Sequence, residues 1–121
     1  MSHIVQIKTE VRDMQAIFAA CQRLGLEQPV SGHHKLFAGQ TADGWAVKLP
    51  GWQFPAVFNV ETGAAAYDNY NGSWGRQEEL DKFLQAYAVE KARYEAQKGG
   101  YSVWEETMPD GSIKLNITVE G

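Results

Sequence analysis

Polar and apolar side chains alternate without a miss through Ser112-Ile113-Lys114-Leu115-Asn116-Ile117-Thr118-Val119-Glu120. Because successive side chains of an extended chain point to opposite faces, this alternation predicts a β-strand with one dry face. A second alternating run lies near the other end of the chain, where Val5, Ile7, Thr9 and Val11 stand opposite Gln6, Lys8 and Glu10. Both runs predict half-buried strands of an antiparallel sheet, and we expect them to be neighbours in it.

Helical spacing predicts two helices. Asp13 can cap the first, which ends at Gly25 and whose apolar face holds Met14, Ile17, Phe18, Cys21 and Leu24. The second runs from about Arg76 to Lys98, with acidic residues in its first turns and Gly99-Gly100 after it. Its predicted buried stripe consists of Leu80, Phe83, Leu84, Tyr87 and Tyr94.

The other segments are predicted to be strands joined by turns. Residues 28–38 and 44–50 flank a loop from Gly39 to Gly44, and residues 55–61 and 64–70 form a hairpin about Thr62-Gly63. A last hairpin joins Tyr101–Thr107 to the alternating run through Pro109-Asp110-Gly111. The prediction is therefore one α+β domain spanning residues 1–121, in the order β-α-β-β-β-β-α-β-β. Both helices would pack on one face of an antiparallel sheet, which leaves the other face to solvent or to a partner.

Composition excludes several classes of protein. The chain is 44% hydrophobic and 21% charged, as in an ordinary soluble globular domain, and its net charge of −4 argues against a double-stranded nucleic acid partner. No run is long enough to span a membrane, and the first residues lack the apolar core of a signal peptide. The single cysteine, Cys21, fits a reducing compartment, so we expect a cytoplasmic protein.

No segment carries a reaction-specific set of residues. The sequence has neither a phosphate-binding nor a dinucleotide-binding glycine motif, and we expect no cofactor and no catalytic residue. His33 and His34 are adjacent and would face opposite sides of a strand, which is a poor arrangement for binding one metal ion. Cys21 lies on the apolar face of the first helix, where burial disfavours a thiolate.

Aromatic residues are concentrated between residues 37 and 74, with few basic residues among them. Single-stranded nucleic acid binding would need more positive charge there. Tryptophan and tyrosine outside helices instead favour a protein interface or a small-ligand pocket. The candidate ligand or interface residues are His33, His34, Trp45, Trp52, Tyr70 and Trp74.

Motifs at both ends resemble one family. Ser2-His3-Ile4, Ile7-Lys8-Thr9, Arg12-Asp13 and Leu24-Gly25 are similar to the start of the hypothetical chloroplast reading frame thirty-five family, also called domain of unknown function twelve-fifty-seven. Further similar segments are Phe58-Asn59, Trp74-Gly75, Phe83-Leu84, Tyr87-Ala88, Gly100-Tyr101, Glu105-Glu106 and Asp110-Gly111-Ser112-Ile113-Lys114-Leu115. The resemblance implies the fold of this family, which is found in cyanobacteria, some algal plastids and other bacteria, and a cytoplasmic or stromal location. It implies no reaction.

The predicted function is that of a non-enzymatic accessory or protein-interaction module, whose partner is another protein or a second copy of itself. Its contact surface would be the wet sheet face or the aromatic middle segment. The alternative is a small-ligand or metal-binding protein, or an enzyme, with a pocket near His33, His34 and the central aromatic residues.

Overall fold

The computed structural model of the chain describes residues 5–8, 11–68, 73 and 75–119. Within these residues the elements are β1 (Val5–Lys8), α1 (Met14–Leu24), β2 (Val30–Lys35), β3 (Thr41–Val47), β4 (Ala56–Asn59), β5 (Ala64–Tyr67), α2 (Gln77–Lys98), β6 (Tyr101–Thr107) and β7 (Ile113–Val119). The α+β class and the predicted element order are confirmed. Thr9, Glu10, Asn69, Tyr70 and Glu120, which were predicted to be in strands, lie outside the described residues.

The strands are distributed over two antiparallel sheets. The larger sheet has the order β1-β5-β4-β3-β2, whereas β6 and β7 form a separate two-stranded sheet. The expectation that the two terminal strands are neighbours is wrong, because β1 pairs with β5, with Val5 opposite Tyr67 and Lys8 opposite Ala64. Alternation predicts which face of a strand is dry, but it does not identify the neighbouring strand, since several strands here offer the same alternation.

The main core lies between the five-stranded sheet and the two helices, which share one face of it as predicted. Phe58 of β4 and Phe83 of α2 are both fully buried and stack with ring centroids 5.1 Å apart. Burial of each such side chain contributes about 1.5–3 kcal/mol to folding. The other buried members of this cluster are Val11, Ala16, Ile17, Ala20, Cys21, Val47, Leu49, Ala56, Ala65, Tyr67, Leu80, Ala86 and Tyr87.

Helix α1 begins and ends where the sequence predicts. The Asp13 carboxylate accepts hydrogen bonds from the backbone N–H groups of Gln15 and Ala16 at 2.9 and 3.3 Å, and Gly25 ends the helix with φ 70°. Its buried face was only partly predicted. Met14 and Leu24 are exposed at the two ends, while the small Ala16 and Ala20 join Ile17 and Cys21 in the core, since they allow close helix packing.

Strand β3 begins at Thr41, so the predicted loop through Gly44 is wrong in its second half. Gly44 lies inside the strand, opposite Gly32 of β2, with φ 144°. A side chain at Gly44 would collide with the Phe58 carbonyl group of the neighbouring strand. The glycine therefore marks a close approach of two backbones rather than a turn.

Helix α2 serves both sheets. Leu80, Phe83 and Tyr87 of its first half are buried in the main core as predicted, but Tyr94 is exposed. The β6–β7 hairpin packs on the same helix and runs back along it, so that Gln85 Nε2 donates a hydrogen bond to the Gly111 carbonyl in the hairpin turn at 3.3 Å. The second half of α2 thus carries the hairpin rather than contributing to the main core.

Candidate functional site

The predicted histidine candidates lie on the edge strand β2. His33 is directly opposite Asp43 of β3, and its Nδ1 is 2.6 Å from the Asp43 carboxylate. Both side chains are largely exposed, at 63% and 73%. An ion pair in that much solvent contributes at most about 1 kcal/mol.

His34 faces the other side of the sheet, as alternation predicts. Its Nε2 atom is 2.8 Å from the carbonyl oxygen of Val30, so one ring nitrogen is engaged by its own strand. Within the described part of the chain no three His, Cys, Asp or Glu side chains come together in a way that could hold a metal ion. The structure therefore brings His33 and Asp43 together and leaves His34 apart from them.

The predicted tryptophan candidates pack at the edge of the core. Trp45 is half-buried and meets Phe18 edge to face, with ring centroids 5.2 Å apart. Trp52 meets Tyr67 in the same way at 5.4 Å, and its Nε1 donates to the Arg76 carbonyl at 3.0 Å. These contacts give both rings a structural role. Tyr70 and Trp74 lie outside the described residues.

The outer face of the main sheet carries a shallow cavity of about 450 Å³. Its floor includes Ala42, Val57, Ala64 and Ala66, and its rim is polar. The rim groups are engaged in the nearby turn: Asn59 Oδ1 accepts from the N–H groups of Glu61 and Thr62, and Thr62 Oγ1 accepts from that of Ala64. Hydrogen bonds of this kind stabilise the β4–β5 turn, so Asn59 and Thr62 have a structural role at the rim of the cavity.

Exposed large apolar side chains are more frequent on the hairpin than in the aromatic middle segment. Tyr101, Trp104 and Ile117 are 40%, 54% and 50% exposed. We refer to these exposed residues, Tyr101 and Ile117 on the face that carries Glu105 and Trp104 on the opposite face, as the hairpin surface. Sequence reasoning missed it, although the alternation of β6 places Trp104 on the same face as Ser102 and Glu106, which is the signal that could have found it.

The exposure of Ile117 contradicts part of the dry face predicted for the last strand. Ile113 and Leu115 are half-buried, whereas half of Ile117 is in contact with solvent. The hairpin forms a two-stranded sheet that packs mainly on helix α2, so its apolar side is incompletely covered. A two-stranded sheet of this kind is marginally stable without further contacts.

An ion-pair cluster attaches the hairpin to the helices. Glu105 of β6 accepts hydrogen bonds from both Arg23 of α1 and Arg93 of α2, the Arg93 Nη1 distance being 3.0 Å. The bond from Arg23 is the main cause that lowers the pKa of Glu105; burial opposes it, and the charges of Arg23 and Arg93 and the bond from Arg93 lower the pKa further. Arg23 also contacts Glu90 at 3.2 Å, and its own pKa is raised, chiefly by its bond to Glu105. The Glu105 side of the hairpin therefore faces the helices.

One edge of the hairpin has unused backbone groups. Within the described residues β7 pairs only with β6. The Met108 N–H donates to the Ser112 carbonyl at 2.8 Å, so alternation turns the backbone groups of Ile113, Leu115 and Ile117 away from β6 and toward the free edge. The side-chain nitrogen Nδ2 of Asn116 is buried and makes no hydrogen bond within the described part of the chain.

Comparisons with known proteins found no match to a family model, to a curated protein or to a solved structure. Among the described residues, neither helix combines the length and apolar character needed to cross a bilayer. In the part of the chain that the structure describes, the hairpin surface and its free edge are the features that bear most directly on function.

Proposed function

We propose that the chain is a non-enzymatic protein-interaction module that binds an extended polypeptide segment along the free edge of β7. A strand added at this edge would accept hydrogen bonds from the outward-facing N–H groups of Ile113, Leu115 and Ile117 and donate hydrogen bonds to their carbonyl groups. It would also cover the exposed half of Ile117. The single observation that carries the proposal is this coincidence, on β7, of a strand edge with no partner among the described residues and the exposed apolar side chain of Ile117.

The hairpin surface is better suited to this role than the predicted aromatic middle segment. Trp45 and Trp52 are already packed against Phe18 and Tyr67, so they have less unsatisfied surface to offer a partner. On the neighbouring strand β6, Trp104 is more than half exposed on the face opposite Ile117, and tryptophan is among the residues that most often dominate the binding energy of an interface. The alternative of a metal or ligand site at His33 has weaker support, since only Asp43 joins that imidazole.

The proposal includes the cytoplasm or a plastid stroma as the compartment, and membership of the family that both ends resemble. The compartment is supported by a single cysteine, Cys21, which is buried in the main core and available for no internal disulfide. The family is supported by the segments quoted above, such as Asp110-Gly111-Ser112 in the hairpin turn and Leu24-Gly25 at the end of α1.

Site-specific photocrosslinking tests the proposal. A photoreactive phenylalanine analogue would replace Thr118, which is exposed beside the free edge, and in a matched control it would replace Lys48, which is exposed directly after β3. We expect adducts only from position 118, with the crosslinked peptides mapped by mass spectrometry, and we expect Ile117→Lys to abolish them because a charge on an edge strand opposes pairing. Equal crosslinking from both positions, or none from position 118, would refute the proposal.

Hydrogen exchange gives a second, independent readout. A bound strand would slow exchange of the amides of Ile113, Leu115 and Ile117, which face the free edge, more than exchange of the Lys114 and Asn116 amides, which face β6. Uniform slowing along β7 would indicate a general gain in stability instead of strand addition.

A further inference from the structure

We propose that the segment bound at this edge is β7 of a second copy of the chain, and that two copies pair their β7 strands antiparallel about Asn116 to form a four-stranded sheet. This inference rests on the proposed function, since it names the occupant of the same edge. Three features support it: the self-complementary register of β7, the poorer self-pairing of β6, and the position of the Asn116 side-chain amide.

The β7 strand is complementary to a copy of itself. A two-fold axis at Asn116, the midpoint of Ile113–Val119, pairs the whole strand with its copy. Moving the axis to Leu115 or Ile117 shortens the paired segment. The resulting opposite pairs are Asn116 with Asn116, Leu115 with Ile117, Lys114 with Thr118, and Ile113 with Val119.

These pairs satisfy both faces of the new sheet. Ile113, Leu115 and Ile117 lie on one face, and Leu115 of each copy meets Ile117 of the other, which is the apolar cross-strand arrangement that stabilises a sheet. Lys114 meets Thr118, so no two like charges are directly opposite. The pairing also uses the outward-facing backbone groups of Ile113, Leu115 and Ile117, and it extends the two-stranded sheet to a size that is independently stable.

The free edge of β6 is a poorer partner for its own copy. The midpoint of Tyr101–Thr107 is Trp104, and a two-fold axis there would place Val103 opposite Glu105 twice. Glu105 is held by Arg23 and Arg93, so it cannot turn away from that contact without breaking the ion-pair cluster. The charges of β6 thus oppose the pairing that the sequence of β7 allows.

Asn116 would lie on the two-fold axis, opposite its own copy. Since its backbone groups face β6, this pair belongs to the type without mutual backbone hydrogen bonds, in which the side chains of opposite residues are closest. Their Cβ atoms would be about 4.5–5.5 Å apart. That separation lets the amide of one copy bond to the amide of the other once the side chain turns toward the axis, and it gives the Nδ2 atom an acceptor that the described part of the single chain does not provide.

Charge reversal at Asn116 tests both the dimer and its register. Asn116→Asp and Asn116→Lys each place two like charges in contact across the axis, and we expect each to raise the dimer dissociation constant at least about tenfold. An equimolar mixture of the two variants should recover the dimer as a one-to-one heterodimer, because the opposite charges then meet. Ser102→Asp is the matched control, since it adds the same charge on the same face but on β6, away from the free edge of β7.

Sedimentation velocity over a concentration series measures the dissociation constants, and native mass spectrometry with one variant isotope-labelled identifies the heterodimer. The proposal is overturned if the wild-type chain remains monomeric up to about 100 µM, a concentration well above the range of typical specific interfaces, or if both variants dimerise normally, or if the mixture fails to recover the dimer. Circular dichroism establishes that each variant is folded. If a variant does not fold, concentration-dependent protection of the Ile113, Leu115 and Ile117 amides in the wild type decides instead, and its absence overturns the proposal.

The outcomes also separate this inference from the proposed function. A monomeric wild-type chain that crosslinks to a different polypeptide from position 118 would leave the proposed function in place and refute only the second copy as occupant. A chain that neither dimerises nor crosslinks from that position would refute both.

Discussion

Substitution of Glu105 by glutamine tests whether the ion-pair cluster attaches the hairpin to the helices. The carboxylate accepts hydrogen bonds from Arg23 and Arg93, and its side chain is 23% exposed, compared with 27% and 31% for the two arginines. This exposure lies between that of a surface pair, worth less than about 1 kcal/mol, and that of a buried pair, whose disruption costs about 3–5 kcal/mol. We therefore expect Glu105→Gln to lower the free energy of unfolding by roughly 1–2 kcal/mol, or Tm by roughly 3–10 °C.

The pH dependence follows from the lowered pKa of Glu105, caused first by the hydrogen bond from Arg23. Because the folded-state pKa lies below the unfolded value of about 4.3, the stabilisation is complete above that pH and is lost as the pH falls through the folded-state pKa. The difference in stability between wild type and Glu105→Gln should thus be constant near neutrality and should shrink below about pH 4.

Urea unfolding followed by tryptophan fluorescence, at several pH values, measures both effects. Glu106→Gln is the matched control, since Glu106 is exposed on the opposite face of the same strand, and we expect it to change stability by less than about 0.5 kcal/mol. Combining Glu105→Gln with Arg23→Met should cost less than the sum of the two single changes, because both remove the same contact. Equal stability of the Glu105 and Glu106 variants, or a difference that persists unchanged at pH 3, would refute the reasoning.

Three further outcomes are expected. Gly44→Ala should destabilise the protein by more than about 2 kcal/mol, because the new methyl group meets the Phe58 carbonyl group. Gly32→Ala, at a residue with similar φ and open space around it, should cost about 1 kcal/mol. Equal losses of stability in thermal unfolding would contradict the close approach at Gly44. Tyr87→Phe should cost about 1–3 kcal/mol in urea unfolding because the N–H groups of Arg12 and Asp13 lose their acceptor, and Tyr94→Phe, at an exposed position, should change little. Cys21, whose pKa burial raises to about 11, should not react with a disulfide reagent at pH 8 until the protein is unfolded, and rapid labelling of the native chain would show that the thiol is accessible.

Local sequence patterns predicted the elements well because each has a local physical cause. The Asp13 cap and the Gly25 stop act within a few residues and reappear in the structure, and the alternating run forms the predicted strand Ile113–Val119, although Ile117 is exposed. Partners distant in sequence were harder to predict. The pairing of β1 with β5, and the attachment of β6 to α2, depend on contacts that alternation alone does not distinguish.

The candidate site shows the same division. Opposite orientations of His33 and His34 followed from alternation, but the prominence of the central aromatic residues misdirected the search for a surface. Trp45 and Trp52 are of a residue type that is common in interfaces, but both pack at the edge of the core. Only the tertiary contacts distinguish these two roles. Trp104 was not among the predicted residues, because its exposure depends on the hairpin leaving the main sheet.

Helix α2 packs against both the main core and the β6–β7 hairpin. Its residues up to Tyr87 belong to the main core, while the buried Val89 and Ala96 lie outside that cluster, on the stretch that leads to the hairpin. Detachment of β6 and β7 would therefore expose the C-terminal part of helix α2 to solvent without opening the five-stranded sheet. We expect a protease that cuts near Gly99-Gly100 to release β6 and β7 while the five-stranded sheet and its core stay folded.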